Sequence, residues 1–172
     1  MAVHPNSNII AVTGGKGGVG KSVFAANLAL SFLELKTPTL LIDMDAQSCG
    51  DQNMILGLKE VKTIADLTQY SGSLAPQMFG SVMTQHPKGL SFIAAVKSRD
   101  EVLSVNPENA IKQIEALSNF YRFIVIDIGS NLGPLQMSVI EKATILLCVT
   151  TPEVLAINQT MRLVNDMMVA TV

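Results

Sequence analysis

The sequence has little of what marks a secreted, membrane-spanning or zinc-binding protein. Its 172 residues include two cysteines, Cys49 and Cys148, which lie far apart and form no CxxC pair. The longest apolar runs, such as TILLCV, are too short to cross a bilayer, and the start MAVHPNSN lacks the charged end and apolar core of a signal peptide. These absences favour a cytoplasmic domain with reduced thiols.

The sequence also lacks an excess of charge of either sign. The formal net charge is −2, and no block of like charges occurs. The bulk composition therefore gives no electrostatic reason to expect nucleic acid or an anionic membrane as a partner, and either would need a local site. Hydrophobic residues, by contrast, make up 48% of the chain, which is enough for one sizeable core.

Short aliphatic runs recur between amphipathic segments, and continuous apolar strands of this kind are typical of a sheet buried on both faces. The predicted strands are Ile9 to Thr13, Thr39 to Asp43, Leu90 to Ala95, Phe123 to Ile128 and Thr144 to Thr150. The predicted helices are Ser22 to Leu35, Pro107 to Leu117 and Glu153 to Val169. This alternation predicts an α/β fold with a mainly parallel central sheet flanked by helices.

Two regions leave the arrangement open. Residues 58–89 contain turn signals, SGSLAP and QHPKG, but no periodicity that places their elements. The last predicted helix is followed by no strand, although a helix that feeds a parallel sheet usually is. Either the sheet ends with that helix or the chain is part of a longer protein.

The stretch GGKGGVGKS, Gly14 to Ser22, carries the most specific motif. The spacing of Gly15, Gly20, Lys21 and Ser22 fits the phosphate-binding loop, and the stretch lies between a predicted strand and a predicted helix. Glycines let backbone N–H groups curl around a phosphate, and the helix N-terminus adds partial positive charge. We expect Lys21 to reach the β- and γ-phosphates and the Ser22 hydroxyl to bind Mg²⁺. The alternative is a Gly-rich turn that only connects strand and helix.

A second lysine in the loop, Lys16, has no role in the minimal motif. Its side chain either folds back onto its own nucleotide or reaches a nucleotide held by a second subunit, and two cations near one γ-phosphate suit phosphoryl transfer. KGGVGKS resembles the deviant Walker A motif of the ParA/MinD superfamily of P-loop ATPases. The resemblance implies that Lys16 and Lys21 are catalytic and that Lys16 acts across an ATP-sandwich homodimer. The nucleotide-binding residues that it implies are Gly15, Lys16, Gly17, Gly18, Val19, Gly20, Lys21 and Ser22.

Three aspartates follow predicted strands. Asp43 and Asp45 end LLIDMD, and Asp127 lies near the end of FIVIDIG. Because the carboxyl ends of parallel strands meet at one edge of a sheet, we expect these residues beside the phosphate loop. The resemblance implies that Asp45 positions the attacking water, that Asp43 supports the Mg²⁺ shell and that Asp127 holds Mg²⁺ as the Walker B aspartate. Gly129 is expected to offer its N–H to the γ-phosphate. Strand-end carboxylates that only cap a turn are the alternative.

The resemblance covers about Asn8 to the C-terminus, with two departures. The segment after Asp127 reads DIGSNLGP where many relatives carry DxPP, and Val23 stands where relatives often have threonine. Relatives recognise adenine with a later region that this chain does not contain, so adenine and guanine both stay open. We therefore expect one P-loop ATPase domain over residues 1–172, with a flexible N-terminus at 1–7 and without the C-terminal part of the family domain.

Looser matches favour one branch of the superfamily. DMDAQSCGDQNMILGLKEVKTIADL and TTPEVLAINQTMRLVNDM are similar to CpaE/TadZ-like proteins, which assemble and localise Tad-type pili. The implied function is a Mg-ATP-dependent dimerising switch, a slow ATPase stimulated by pilus, secretion or polar-localisation proteins. It would be cytoplasmic and recruited to a cell pole or the inner membrane face, without nucleic acid. The alternatives are a non-catalytic nucleotide-binding scaffold and a partition or division-positioning ATPase of the same superfamily.

Overall fold

The computed structural model describes residues 7–47, 51–70, 72 and 74–170. The strands are β1 (Asn8–Thr13), β2 (Thr39–Asp43), β3 (Thr84–Gln85), β4 (Ser91–Ile93), β5 (Phe123–Gly129) and β6 (Ile145–Cys148). The helices are α1 (Lys21–Glu34), α2 (Asp51–Ile55), α3 (Ile64–Thr68), α4 (Phe79–Val82), α5 (Arg99–Val102), α6 (Pro107–Leu117), α7 (Pro134–Lys142) and α8 (Val154–Ala170). A 3₁₀ turn at Pro76–Met78 precedes α4.

The strands form one sheet in the order β3-β4-β2-β5-β1-β6. β1, β2, β4, β5 and β6 run parallel, and only the short β3 pairs antiparallel, with β4. The predicted α/β fold with a mainly parallel sheet is therefore confirmed. Since the parallel strands end at one edge, the segments that follow β1, β2 and β5 emerge side by side there.

The core lies on both faces of this sheet because successive strand side chains point to opposite sides. One face packs Leu40, Ile42, Ile124 and Ile126 against α6 and α7. On the other face, Leu41 and Val125 pack against α1. The helix contributes three fully buried alanines to this contact, Ala25, Ala26 and Ala29. Small side chains on α1 bring this helix close to the sheet.

The observed bounds differ from the predicted ones mainly at the edges. β2 and α6 have the predicted bounds, but β6 is shorter, and both Ile145 and Cys148 are exposed. The expectation of burial on both faces is therefore wrong for β6, which pairs only with β1 among the described residues. Cys148 is a free thiol. Cys49 and residues 1–6 of the flexible N-terminus predicted at 1–7 lie outside the described residues.

The region that the sequence left unplaced contains short elements. α3 begins with a reciprocal capping box, in which Thr63 accepts from the N–H of Asp66 and the Asp66 side chain accepts from the N–H of Thr63. α8, at the other end of the chain, buries Ala156, Leu163 and Met167 and exposes most of its remaining apolar side chains. No helix in the described part of the chain is both long and apolar enough to span a bilayer.

Candidate functional site

The predicted phosphate loop joins β1 to α1, and α8 packs directly against it. A Cβ atom on Gly15 would lie 2.3 Å from the backbone carbon of Gln159 and 2.3 Å from the nitrogen of Thr160. Any side chain at this position would therefore displace either the loop or α8. The glycine is required by this close approach of two backbones, and the helix holds the first half of the loop in place.

The N-terminus of α1 opens toward the strand ends and carries Lys21 as its first residue. Gly20 caps this helix and has no side chain, so the cap residue does not occupy the first-turn N–H groups, which are the groups that bind anions at a helix N-terminus. Lys21 is only 6% exposed, and its Nζ donates to the backbone oxygen of Lys16 at 3.1 Å. In this arrangement a buried ammonium group rests on a neutral carbonyl, which an anion can replace as its partner.

The second loop lysine is in a different environment. Lys16 Nζ lies 2.6 Å from Glu153 Oε2, and the two side chains are 33% and 56% exposed. Glu153 directly precedes α8, so this ion pair bridges the loop and the segment after β6. Sequence reasoning missed Glu153, because no pattern links residues 137 positions apart and an acid beside a helix start reads as an ordinary first-turn charge.

Two carboxylates lie buried at the ends of adjacent strands. Asp43 and Asp127 are direct register partners across β2 and β5, and they are 1% and 0% exposed. Asp43 Oδ1 accepts from the N–H of Asp45 at 2.9 Å, and Asp127 Oδ1 accepts from the N–H of Gly129 at 3.2 Å. Neither carboxylate has an ion-pair partner among the residues that the structure describes.

Burial raises the pKa of Asp43 well above its usual range. The N–H donated by Asp45 lowers this pKa, while the nearby negative charges of Asp127, Asp45 and Asp51 raise it further. Asp43 thus lies near three other acidic side chains, and a cation bound beside it would stabilise its ionised form.

Asp45 and Gly129 are in direct contact. Gly129 has φ of +69°, and a Cβ atom there would lie 2.7 Å from the Asp45 Cγ. The Thr13 hydroxyl donates to the Gly129 oxygen at 2.7 Å and fixes this peptide against β1. The Gly129 N–H, expected at a γ-phosphate, is here directed to Asp127. The segment after β2, with the predicted water-positioning Asp45, and Gly129, predicted to contact the γ-phosphate, therefore meet beside Asp127.

A cleft of about 490 Å³ lies between the loop, α1 and α2. Its walls include the predicted residues Gly17, Gly18, Gly20, Lys21, Ser22 and Asp45. The predicted residues outside its walls are Gly15, Lys16, Val19, Asp43, Asp127 and Gly129. Asp43 and Asp127 are buried at the strand ends, and Lys16 is held by Glu153. Larger clefts of about 690 and 830 Å³ occur elsewhere but contain none of the motif residues.

The donor set fits Mg²⁺ that arrives with a phosphate. The described residues contain no cluster of three or more His, Cys, Asp or Glu side chains able to enclose a metal ion. Mg²⁺ at nucleotide sites uses one or two protein oxygens, the phosphates and several waters, so it needs no such cluster. The hydroxyl of Ser22 and the carboxylates of Asp43 and Asp127 are hard oxygen donors of this kind.

Comparison with known proteins agrees with this geometry. The profile of the AAA-domain family matches residues 7–170. The septum site-determining protein MinD of Helicobacter pylori is 32% identical over 159 residues, which cover 91% of this chain and 58% of that protein. This chain belongs to the ParA/MinD superfamily of P-loop ATPases. This chain therefore spans 58% of the length of that MinD.

Solved structures of the superfamily share the fold. A ParA family ATPase from Chlorobium tepidum has a TM-score of 0.85 and 24% identity, over 92% of this chain and 67% of that one. MinD from Pyrococcus horikoshii, solved with Mg-ADP, has a TM-score of 0.78 and 24% identity, over 95% of this chain and 66% of that one. At this identity the likeness establishes the ParA/MinD fold.

Replacing Asp43 by Asn should stabilise the nucleotide-free chain. The amide oxygen can still accept from the N–H of Asp45, while a buried charge is removed. Because the folded pKa is raised, the wild-type Asp43 contributes stability below the ordinary aspartate pKa of 3.8 and loses it as pH rises through the folded pKa. Thermal unfolding without Mg²⁺ should show a gain for Asp43→Asn that grows as pH rises above about 4, where an aspartate of the unfolded chain ionises while buried Asp43 still resists ionisation.

The matched control is Asp100→Asn on the exposed side of α5, which should leave the unfolding temperature unchanged across the same range. Equal unfolding temperatures for wild type and Asp43→Asn at every pH would contradict a raised pKa at Asp43.

Proposed function

We propose that this chain is the nucleotide-binding part of a Mg-ATP-dependent switch, which binds ATP, closes a homodimer and resets by slow hydrolysis. The observation that carries the proposal is that buried carboxylates and a buried ammonium group lie at the same edge of the sheet. Among the described residues, Asp43 and Asp127 are buried and form no ion pair, while the buried ammonium group of Lys21 has a neutral carbonyl as its hydrogen-bond partner. Mg-ATP satisfies both, and the related P. horikoshii MinD was solved with Mg-ADP.

Each side chain has a defined task in this proposal. Lys21 exchanges the carbonyl of Lys16 for a phosphate oxygen, and the N–H groups at the start of α1 bind the same phosphates. The hydroxyl of Ser22 and the carboxylates of Asp43 and Asp127 hold Mg²⁺, which neutralises charge on the phosphates. Asp45, which lines the cleft and touches Gly129, orients the attacking water.

Lys16 acts in the second subunit. Its ion pair with Glu153 is partly exposed, so breaking it costs at most about 1 kcal/mol. Lys16 lines no part of its own cleft, and a lysine held at the outer surface of the loop is positioned to exchange Glu153 for a phosphate of the facing subunit. Dimer closure would thus release the segment that precedes α8 from its ion pair with the loop.

The cellular role follows from the relatives. The resemblance to CpaE/TadZ-like proteins supports a switch that localises or assembles a Tad-type pilus or secretion system from the cytoplasm, at a pole or at the inner membrane face. The 32% identity to a septum site-determining MinD supports a second candidate, a division-positioning ATPase. A non-catalytic scaffold is the remaining alternative, and only turnover separates it from both.

Lys16→Ala should abolish ATP-dependent dimerisation and preserve nucleotide binding, because Lys16 contributes to the facing site and Lys21 to its own. Light scattering after size exclusion with Mg-ATP measures the dimer, and calorimetry measures binding. The control is Lys142→Ala, which removes the other described ion-paired lysine, 2.7 Å from Glu115 and outside the cleft. An unchanged dimer in Lys16→Ala would remove the cross-subunit role.

Asp45→Ala should reduce phosphate release by about 100-fold or more, because the attacking water loses its orienting carboxylate. The ATP-bound dimer should persist, since the phosphate-binding residues remain. Steady-state phosphate release measures turnover, with Asp100→Ala as the control of equal charge change. Undiminished turnover in Asp45→Ala would exclude Asp45 from catalysis, whereas a wild type that binds ATP and releases no phosphate would favour the scaffold.

A further inference from the structure

A buried glutamine connects the helix of the phosphate loop to the Walker B aspartate. Gln52 lies on α2 and is 1% exposed. Its Nε2 donates to Asp127 Oδ2 at 3.1 Å and to the backbone oxygen of Ser22 at 3.1 Å. Both partners can only accept, so the amide nitrogen is the end of the side chain that faces them. One side chain therefore joins the end of β5 to the first turn of α1.

The side-chain oxygen of Gln52 differs from the nitrogen in its hydrogen bonding. Gln52 Oε1 is buried and has no hydrogen-bond partner among the described residues. A buried acceptor without a donor destabilises the folded state. A water molecule retained by Mg²⁺ is a strong donor, and Mg²⁺ at nucleotide sites keeps several waters. The unpaired oxygen is therefore suited to a contact that forms when the site is loaded.

A second buried glutamine shows what a structural amide does in this fold. Gln113 on α6 is also 1% exposed, and its Oε1 also lacks a partner among the described residues. Its Nε2 donates to the backbone oxygens of Tyr70 at 2.7 Å and Gly72 at 3.0 Å. Both acceptors are neutral carbonyls in a loop away from the cleft. The contact with a carboxylate at the site is what distinguishes Gln52 from Gln113.

The two groups that Gln52 contacts belong to residues on either side of the expected metal. Ser22 supplies the hydroxyl and Asp127 the carboxylate, and they lie on different elements, α1 and β5. Asp127 Oδ1 is already held by the N–H of Gly129, so the Gln52 amide restrains the other oxygen of the same carboxylate. With both oxygens restrained, the carboxylate has one orientation before any ligand binds.

We propose that Gln52 is a positioning residue for Mg²⁺ at the ATP site, an inference that rests on the proposed function. Its Nε2 fixes Asp127 relative to the first turn of α1, and its Oε1 accepts a hydrogen bond from a water of the bound ion. Loss of such an outer partner typically weakens metal affinity by about 10- to 100-fold. The loop glycines and Lys21, which bind the phosphates, have no hydrogen bond with the Gln52 side chain among those described.

The test is the affinity for ADP by calorimetry, once with Mg²⁺ and once with EDTA, for wild type, Gln52→Leu and Gln113→Leu. The Kd in EDTA divided by the Kd in Mg²⁺ measures the coupling between metal and nucleotide. Gln52→Leu should lower this ratio toward one, by about 10-fold or more, and leave the affinity in EDTA unchanged. Gln113→Leu should lower the unfolding temperature and leave the ratio as in the wild type.

A second readout is the affinity for Mn²⁺ in the presence of ADP, followed by electron paramagnetic resonance, which should weaken in Gln52→Leu only. If Gln52→Leu does not fold, Gln52→Met, which keeps the side-chain length, is measured instead. If the two ADP Kd values of the Gln52 variant have the same ratio as in the wild type, the proposed role of Gln52 is overturned, while the proposed nucleotide site is not. A wild-type chain that binds no ADP in either condition would overturn the proposed function and this role together.

Discussion

Two carboxylates buried in register at the ends of neighbouring strands are the constraint on which the rest of the site depends. Removing an ionised carboxylate from water costs several kcal/mol, and Asp43 and Asp127 have no described cation to offset it. The parallel sheet nevertheless places them together, with the N-terminus of α1 beyond them. The nucleotide-free fold therefore carries an unfavourable charge arrangement that a bound Mg²⁺ relieves, which links folding stability directly to ligand binding.

The positive side of the site is divided between two lysines because the loop has two faces. Lys21 lies on the inner face, almost fully buried, and is held by a carbonyl of its own loop. Lys16 lies on the outer face and is held by Glu153, beside the close contact between Gly15 and α8. In the proposed switch, one lysine binds the phosphates of its own subunit and the other those of a facing subunit. The segment from Glu153 into α8 would then respond when Lys16 changes partner.

The parts of this arrangement that are local in sequence were predictable. β2 and α6 have the predicted bounds because each is specified by a short stretch of sequence. For β2 the stretch is an aliphatic run, and for α6 it is an amphipathic segment that begins with proline. The glycine and lysine spacing and the strand-end aspartates likewise located the loop and the acids. Glu153 and Gln52 could not be predicted, because their roles arise from contacts 137 and 75 positions away along the chain. The exposure of β6 could not be predicted either, because it follows from the position of this strand at the edge of the sheet, beside β1.

The most direct measurement is calorimetric titration with ATP, ADP and GTP in Mg²⁺ buffer, for wild type and Lys21→Ala. If the loop and the buried acids form a Mg-nucleotide site, the wild type binds a nucleoside triphosphate, and the variant loses most of that affinity while its unfolding temperature in the absence of ligand stays close to that of the wild type. The comparison of ATP with GTP then assigns the base. Equal binding in wild type and Lys21→Ala, or no binding by the wild type to any of the three nucleotides, would contradict the account.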